Sequence, residues 1–104
     1  MATSKININH MKMTLLASGG TSTTETQVTL QDDATKYTMI AIFIKTPSSY
    51  VRGSILLPNY QDCIVPYWYN GAFNYVLVKV VDNTHVTIED SISSGQSFYI
   101  YGVE

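Results

Sequence analysis

At 104 residues the chain has the length of one ordinary domain, able to fold around one modest core. Charged residues make up only 13%, the formal net charge is −2 and the basic residues are scattered, so nothing electrostatic points to nucleic acid or an anionic membrane as partner. No apolar run approaches the ~20 residues of a membrane span, no secretion signal is visible, and the β-branched and aromatic content is too high for a disordered chain.

The opening MATSKININHM ends on His10-Met11, the pair an NdeI cloning site leaves behind. Residues 1–12 are therefore read as a vector-encoded leader or a flexible N-terminal segment, and a single domain is expected over residues 13–104. From there helix signals are nearly absent, while period-two alternation and turn chemistry recur, which predicts an all-β domain. A first strand is expected from Lys12 to Ala17, stopping at Ser18-Gly19-Gly20. A Ser/Thr-rich loop follows, then a short strand from Gln27 to Leu30, ended by Gln31-Asp32-Asp33. Tyr37 to Lys45 is the most apolar segment. It puts Ile40, Ile42 and Ile44 on one face and Met39, Ala41 and Phe43 on the other, as for a central strand covered on both sides.

After a turn at Pro47-Ser48-Ser49 comes a strand from Tyr50 to Leu57, with Gly53 suited to a bulge. Asp62 to Tyr69 and Phe73 to Val81 form a hairpin around Asn70-Gly71. Asp82-Asn83 opens a second hairpin with Val86 to Glu89. A two-residue turn there sets Val78 and Val80 opposite Thr87 and His85, a three-residue turn sets them opposite Ile88 and Val86, and a bulge reconciles the two. After a loop from Ser91 to Ser97, Phe98 to Val103 closes the domain. Tyr99 and Tyr101 share one face of it, Phe98 and Ile100 the other, and Gly102 admits a close backbone approach. About eight short strands joined by frequent turns predict a single small antiparallel β-sandwich, jelly-roll-like, with an open β-barrel as the alternative.

Catalytic signals are thin. The acid pairs Asp32-Asp33 and Glu89-Asp90 fall where strands meet turns, and neighbours on a strand point to opposite faces, so both read as solvated turn residues rather than an acid–base pair. Asp32-Asp33 also lacks the spaced oxygen ligands of a calcium loop. His85 reads as a strand-surface histidine without metal-ligand spacing. Cys63 is alone, which excludes an intrachain disulfide, and its apolar neighbours suggest a buried, inert thiol. There is no Gly-x-Ser-x-Gly elbow and no phosphate loop. Neither enzymatic activity nor a cofactor or metal is expected.

The window from Tyr60 to Tyr75 carries the strongest functional signal. Alternation puts Ile64, Pro66 and Trp68 on one face and Val65, Tyr67 and Tyr69 on the other. Tyr67 and Tyr69, with Tyr75 on the partner strand, are expected as an outward row, since tyrosine combines apolar area, few rotatable bonds and a hydroxyl. Stacking on a sugar ring by Tyr67, Trp68, Tyr69 and Tyr75, with hydrogen bonds from Asn70, Asn74 or Asp62, is one reading. A subunit interface and simple cross-strand stabilisation of the sheet are the others.

Several elements together resemble the small β domains at the ends of bacteriophage and prophage tail-fibre or receptor-binding proteins: Leu15-Leu16-Ala17-Ser18-Gly19, Val28-Thr29-Leu30, Tyr37 with Ile40 and Ile42, Val86-Thr87-Ile88, and the closing Ile100-Tyr101-Gly102-Val103. The resemblance implies a non-enzymatic virion module, a sandwich and often a homotrimer, made in the host cytoplasm. It would contact cell-surface polysaccharide or other virion proteins at the tail tip. The alternative it leaves open is a purely structural scaffold or decoration protein whose aromatic surface lies between subunits. It maps no binding residue by position, so the ligand-binding set rests on residue chemistry alone.

Overall fold

The computed structural model describes residues 12–47, 50–93 and 95–104. Of the leader expected at residues 1–12, residues 1–11 lie outside them, as do residues 48–49 of the turn expected at Pro47-Ser48-Ser49. Among the described residues eight strands form: β1 (Met13–Gly20), β2 (Thr26–Thr29), β3 (Met39–Lys45), β4 (Val51–Leu57), β5 (Cys63–Tyr69), β6 (Ala72–Asp82), β7 (His85–Asp90) and β8 (Ser97–Val103), with a 3-10 turn at Ala34–Lys36. Two four-stranded antiparallel sheets, in the orders β1-β8-β3-β4 and β2-β7-β6-β5, make the expected β-sandwich, with no closed barrel.

Alternation builds the core. Ile40, Ile42 and Ile44 of β3 and Phe98 and Ile100 of β8 point inward from the first sheet, towards Val65, Val76, Val78, Val86 and Ile88 of the second. Each such aliphatic side chain contributes roughly 1.5–3 kcal/mol by leaving water. β3 is central, between β8 and β4, but its second face is not covered as expected. Met39, Ala41 and Phe43 turn away from the other sheet, and of the three only Ala41 is buried.

The hairpins follow turn chemistry closely. Tyr69 pairs with Ala72, leaving Asn70 and Gly71 as a two-residue loop with φ of 53° and 74°. Positive φ at both central residues is the type I′ turn that matches strand twist. In the second hairpin Val78 pairs with Ile88, Val80 with Val86 and Asp82 with His85, so Val81 is the extra residue of a bulge. That bulge keeps the valines facing inward while the loop stays short.

Most strand ends shift by one or two residues from expectation, and the structure departs further near two glycines. β1 runs on through Gly19 and Gly20, which pair with Phe98 and Ser97. The Phe98 ring lies 3.1 Å from where a Gly19 side chain would begin, so the glycine makes room for it within the ladder. Near Gly53, Ile44 pairs with Gly53 and Lys45 with Val51, which makes Arg52 the bulged residue. Gly53 itself lies against β5 of the other sheet: a Cβ there would stand 2.6 Å from that of Tyr67. This contact joins the two sheets along the β4 and β5 edges.

Candidate functional site

The β5–β6 hairpin decides the site, and the direction in which β5 faces is the reverse of that expected. Val65 and Tyr67 point into the core, and Tyr67 is 1% exposed. A phenol enters an apolar interior only if its hydroxyl is satisfied. Here it donates to Asp90 Oδ1 at 2.6 Å, while Thr21 Oγ1 donates to Asp90 Oδ2 and the Ile92 amide reaches Oδ1 at 3.2 Å. Burial, reinforced by the Asp90 bond, pushes the Tyr67 hydroxyl well above the ordinary tyrosine range. The expected outward row of Tyr67, Tyr69 and Tyr75 is therefore corrected: Tyr67 is core, Tyr69 is half-buried against the core, and Tyr75 alone faces out. Asp90 is likewise buried rather than a solvated turn residue, with Glu89 on the opposite face.

The outward set is Ile64, Pro66 and Trp68 on β5 with Phe73 and Tyr75 on β6. Trp68 and Phe73 are direct cross-strand partners, their ring centroids 4.8 Å apart and their planes at 90°. Edge-to-face contact of this kind is favoured by the ring quadrupoles. Phe73 is nevertheless 76% exposed and Trp68 45%.

Beside this pair a groove of about 340 Å³ is lined by Thr46, Arg52, Trp68, Tyr69, Asn70 and Gly71. It lies where the end of the β5–β6 hairpin meets the β3–β4 turn across the two sheets. The Arg52 guanidinium carbon stands 4.9 Å from the centre of the Tyr50 ring, and no carboxylate among the described residues lies within ion-pair distance of it. An indole, a phenol, an amide and a cation thus share one open cleft.

Of the seven residues expected at the site, Trp68, Tyr69 and Asn70 meet here, and Tyr75 lies on the same outward face as Trp68. Asp62 does not join them. It sits beyond the other end of β5, where Oδ1 accepts the Val80 amide at 2.7 Å. Asn74 pairs with the inward Tyr67, and its amide donates to the Ala72 carbonyl at 3.2 Å. Thr46, Arg52 and Phe73 were not expected in the site. Phe73 could have been found from the hairpin register, since it stands opposite Trp68. Arg52 and Thr46 reach the groove through sheet-to-sheet contact, for which the local sequence holds no signal.

Several other titratable groups have structural work. Asp33 caps the 3-10 turn by accepting from the Thr35 amide and hydroxyl, and these bonds hold its carboxyl below the usual range. The Asp33 amide, then Lys36 and Tyr37, do the same for Asp32. His85 Nδ1 lies 2.7 Å from Asp82 Oδ1. Burial pushes the Cys63 thiol up to about 11, in keeping with an inert side chain. Among the described residues no three of His, Cys, Asp and Glu are placed to hold a metal ion. Comparison of the chain with protein-family models, with curated proteins and with solved structures yields no match in any of the three.

Proposed function

We propose that the chain is a non-enzymatic adhesion module of the virion tail-fibre type, and that the groove between Trp68, Asn70 and Arg52 binds a carboxylate-bearing surface glycan. One observation carries this reading: an exposed indole and a cation that meets no carboxylate among the described residues line the same open cleft. The Trp68 face suits the C–H side of a pyranose ring, the Asn70 amide suits a hydroxyl, and a guanidinium fork grips a carboxylate with two bonds. A hydrolase would need two carboxyls ~5–10 Å apart beside the aromatic face. Glu89 and Asp90 point to opposite sides of their strand, and both Asp90 oxygens already accept hydrogen bonds.

Trp68 is the sole tryptophan, so its emission reports on the groove directly. Titration with an acidic polysaccharide shifts that emission, and a neutral counterpart gives a weaker response. Trp68→Ala abolishes binding, and Arg52→Gln removes the preference for the acid. Unchanged emission and unchanged amide NMR spectra with both polysaccharides would sink the reading.

A second reading, a scaffold whose aromatic surface lies between subunits, draws on the strip Ile64–Trp68–Phe73–Tyr75, four large side chains each at least 45% exposed. It requires an oligomer that Phe73→Glu takes apart.

A further inference from the structure

We infer that the outer face of the β1-β8-β3-β4 sheet is a self-association surface, closing on the same face of a second copy of this chain about a two-fold axis across the strands. Apart from Ser18, Ser54 and Ser97, the outward side chains between its ends are apolar or aromatic, where a solvated sheet would alternate to polar. Met13 (47% exposed), Val51 (57%) and Leu56 (55%) surround the edge-to-face pair Phe43–Tyr101, whose ring centroids are 5.7 Å apart. Shallow hollows of about 430 and 260 Å³ lie on it, both lined by Met13 and Phe43, and the neighbouring aliphatic side chains of another copy have the size to fill them.

The exposed area fits a pair. Met13, Leu15, Val51 and Leu56 are each 37–57% exposed and Met39, Phe43, Tyr99 and Tyr101 partly so, a patch on the order of the largest a monomer shows, ~300–600 Å². Two copies face to face bury on the order of 1,000 Å² or more, where specific interfaces begin.

Charge admits the second copy and sets its direction. Between Lys45 at one end and Lys12 with Glu104 at the other, the face carries no charged side chain among the described residues, so it meets itself without buried like charges. An axis along the strands would gather Lys45 and Arg52 of both copies. An axis across them brings these cations to the end where Lys12 and Glu104 offset one another. A flat face that closes on itself is used up in a pair, so a two-fold dimer follows, not the trimer the family resemblance implies.

The test is sedimentation equilibrium of the full chain over a wide concentration range. A dimer is expected, with Leu56→Glu or Met13→Glu raising its dissociation constant at least tenfold while the thermal melt stays cooperative. Both residues are exposed on edge strands, so either variant serves if the other folds poorly. Phe73→Glu, on the opposite sheet, leaves the dimer intact. A monomer at every concentration overturns the inference, as does a trimer, or a dimer that ignores Leu56→Glu and separates with Phe73→Glu. Glycan titration of Leu56→Glu keeps the two proposals apart, since the Trp68 groove is untouched by that change.

Discussion

The hydroxyl of Tyr67 and the carboxylate of Asp90, 23 residues apart in sequence, share a 2.6 Å hydrogen bond inside the sandwich. The bond ties β5 to the end of β7, and Thr21 brings in the chain after β1 from the other side. Tyr67→Phe leaves Asp90 Oδ1 with only the Ile92 amide, at 3.2 Å. The expected cost is about 1–3 kcal/mol in urea unfolding, with no change of fold. Asp90→Ala costs more, because it strands the Thr21 and Tyr67 hydroxyls together.

Two glycines mark close approaches that a single methyl group tests. A Cβ on Gly53 meets the Pro66 carbonyl and the Tyr67 backbone, and one on Gly102 meets the Tyr37 ring, with Cδ1 at 2.6 Å. Overpacking costs ~1–3 kcal/mol where neighbours give way. Gly53→Ala is expected to exceed that range, since backbone yields least. Gly102→Ala falls within it, and Tyr37→Ala in the same chain recovers part of the loss. Thermal melts of the three variants check the order.

Alkaline stability follows from groups whose protonated forms the fold favours. Burial pushes Cys63 from 9.0 to about 11, and burial with the charge of Asp82 pushes Tyr60 from 10.0 to about 12. Groups raised on folding lend stability that is complete below their unfolded values and lost as pH climbs through the folded ones. Stability is thus expected to hold to pH 9.0 and decline towards pH 12. Cys63→Ala removes the earlier part of that decline. A urea midpoint that stays flat to pH 12 would refute the assignment.

At the acid end the sign is opposite. Asp32, Asp33 and Asp82 are held below their ordinary 3.8 by hydrogen bonds, first of all to the Asp33 amide, the Thr35 hydroxyl and the Thr84 amide respectively. Their contribution is present above 3.8 and is lost as pH falls through the lowered values. Asp82 is exposed and Asp32 and Asp33 are only half-buried, so the effect is small. Asp33→Asn, which keeps a cap of similar shape, flattens the acid limb of the midpoint-against-pH curve without moving its plateau.

The strands, the Asn70-Gly71 turn and the need for a bulge in the second hairpin, though not its place at Val81, were legible because each rests on near neighbours in the chain: alternation, positive φ, and inward valines at odds with a two-residue turn. The side of β5 that faces the core was not. Period two splits Ile64, Pro66 and Trp68 from Val65, Tyr67 and Tyr69, but it does not say which set goes inside. The deciding fact lies 23 residues away: Asp90 is buried, and its Oδ1 accepts the Tyr67 hydroxyl. The candidate groove was half visible for a similar reason. Trp68, Tyr69 and Asn70 are consecutive, whereas Arg52 arrives from another sheet through the bulge beside Gly53. The reading of β3 failed at its outer face because sequence shows that a face is apolar, not whether anything lies over it.

Met13 stands directly opposite Val103, and the Glu104 amide reaches back to the Lys12 carbonyl at 3.0 Å. The way into this fold and the way out of it are therefore neighbouring doors in one wall. Such a unit can be spliced into a surface loop of a carrier protein without stretching either junction, and tension applied through those two points would peel the outermost strand like a zip rather than load all its bonds at once.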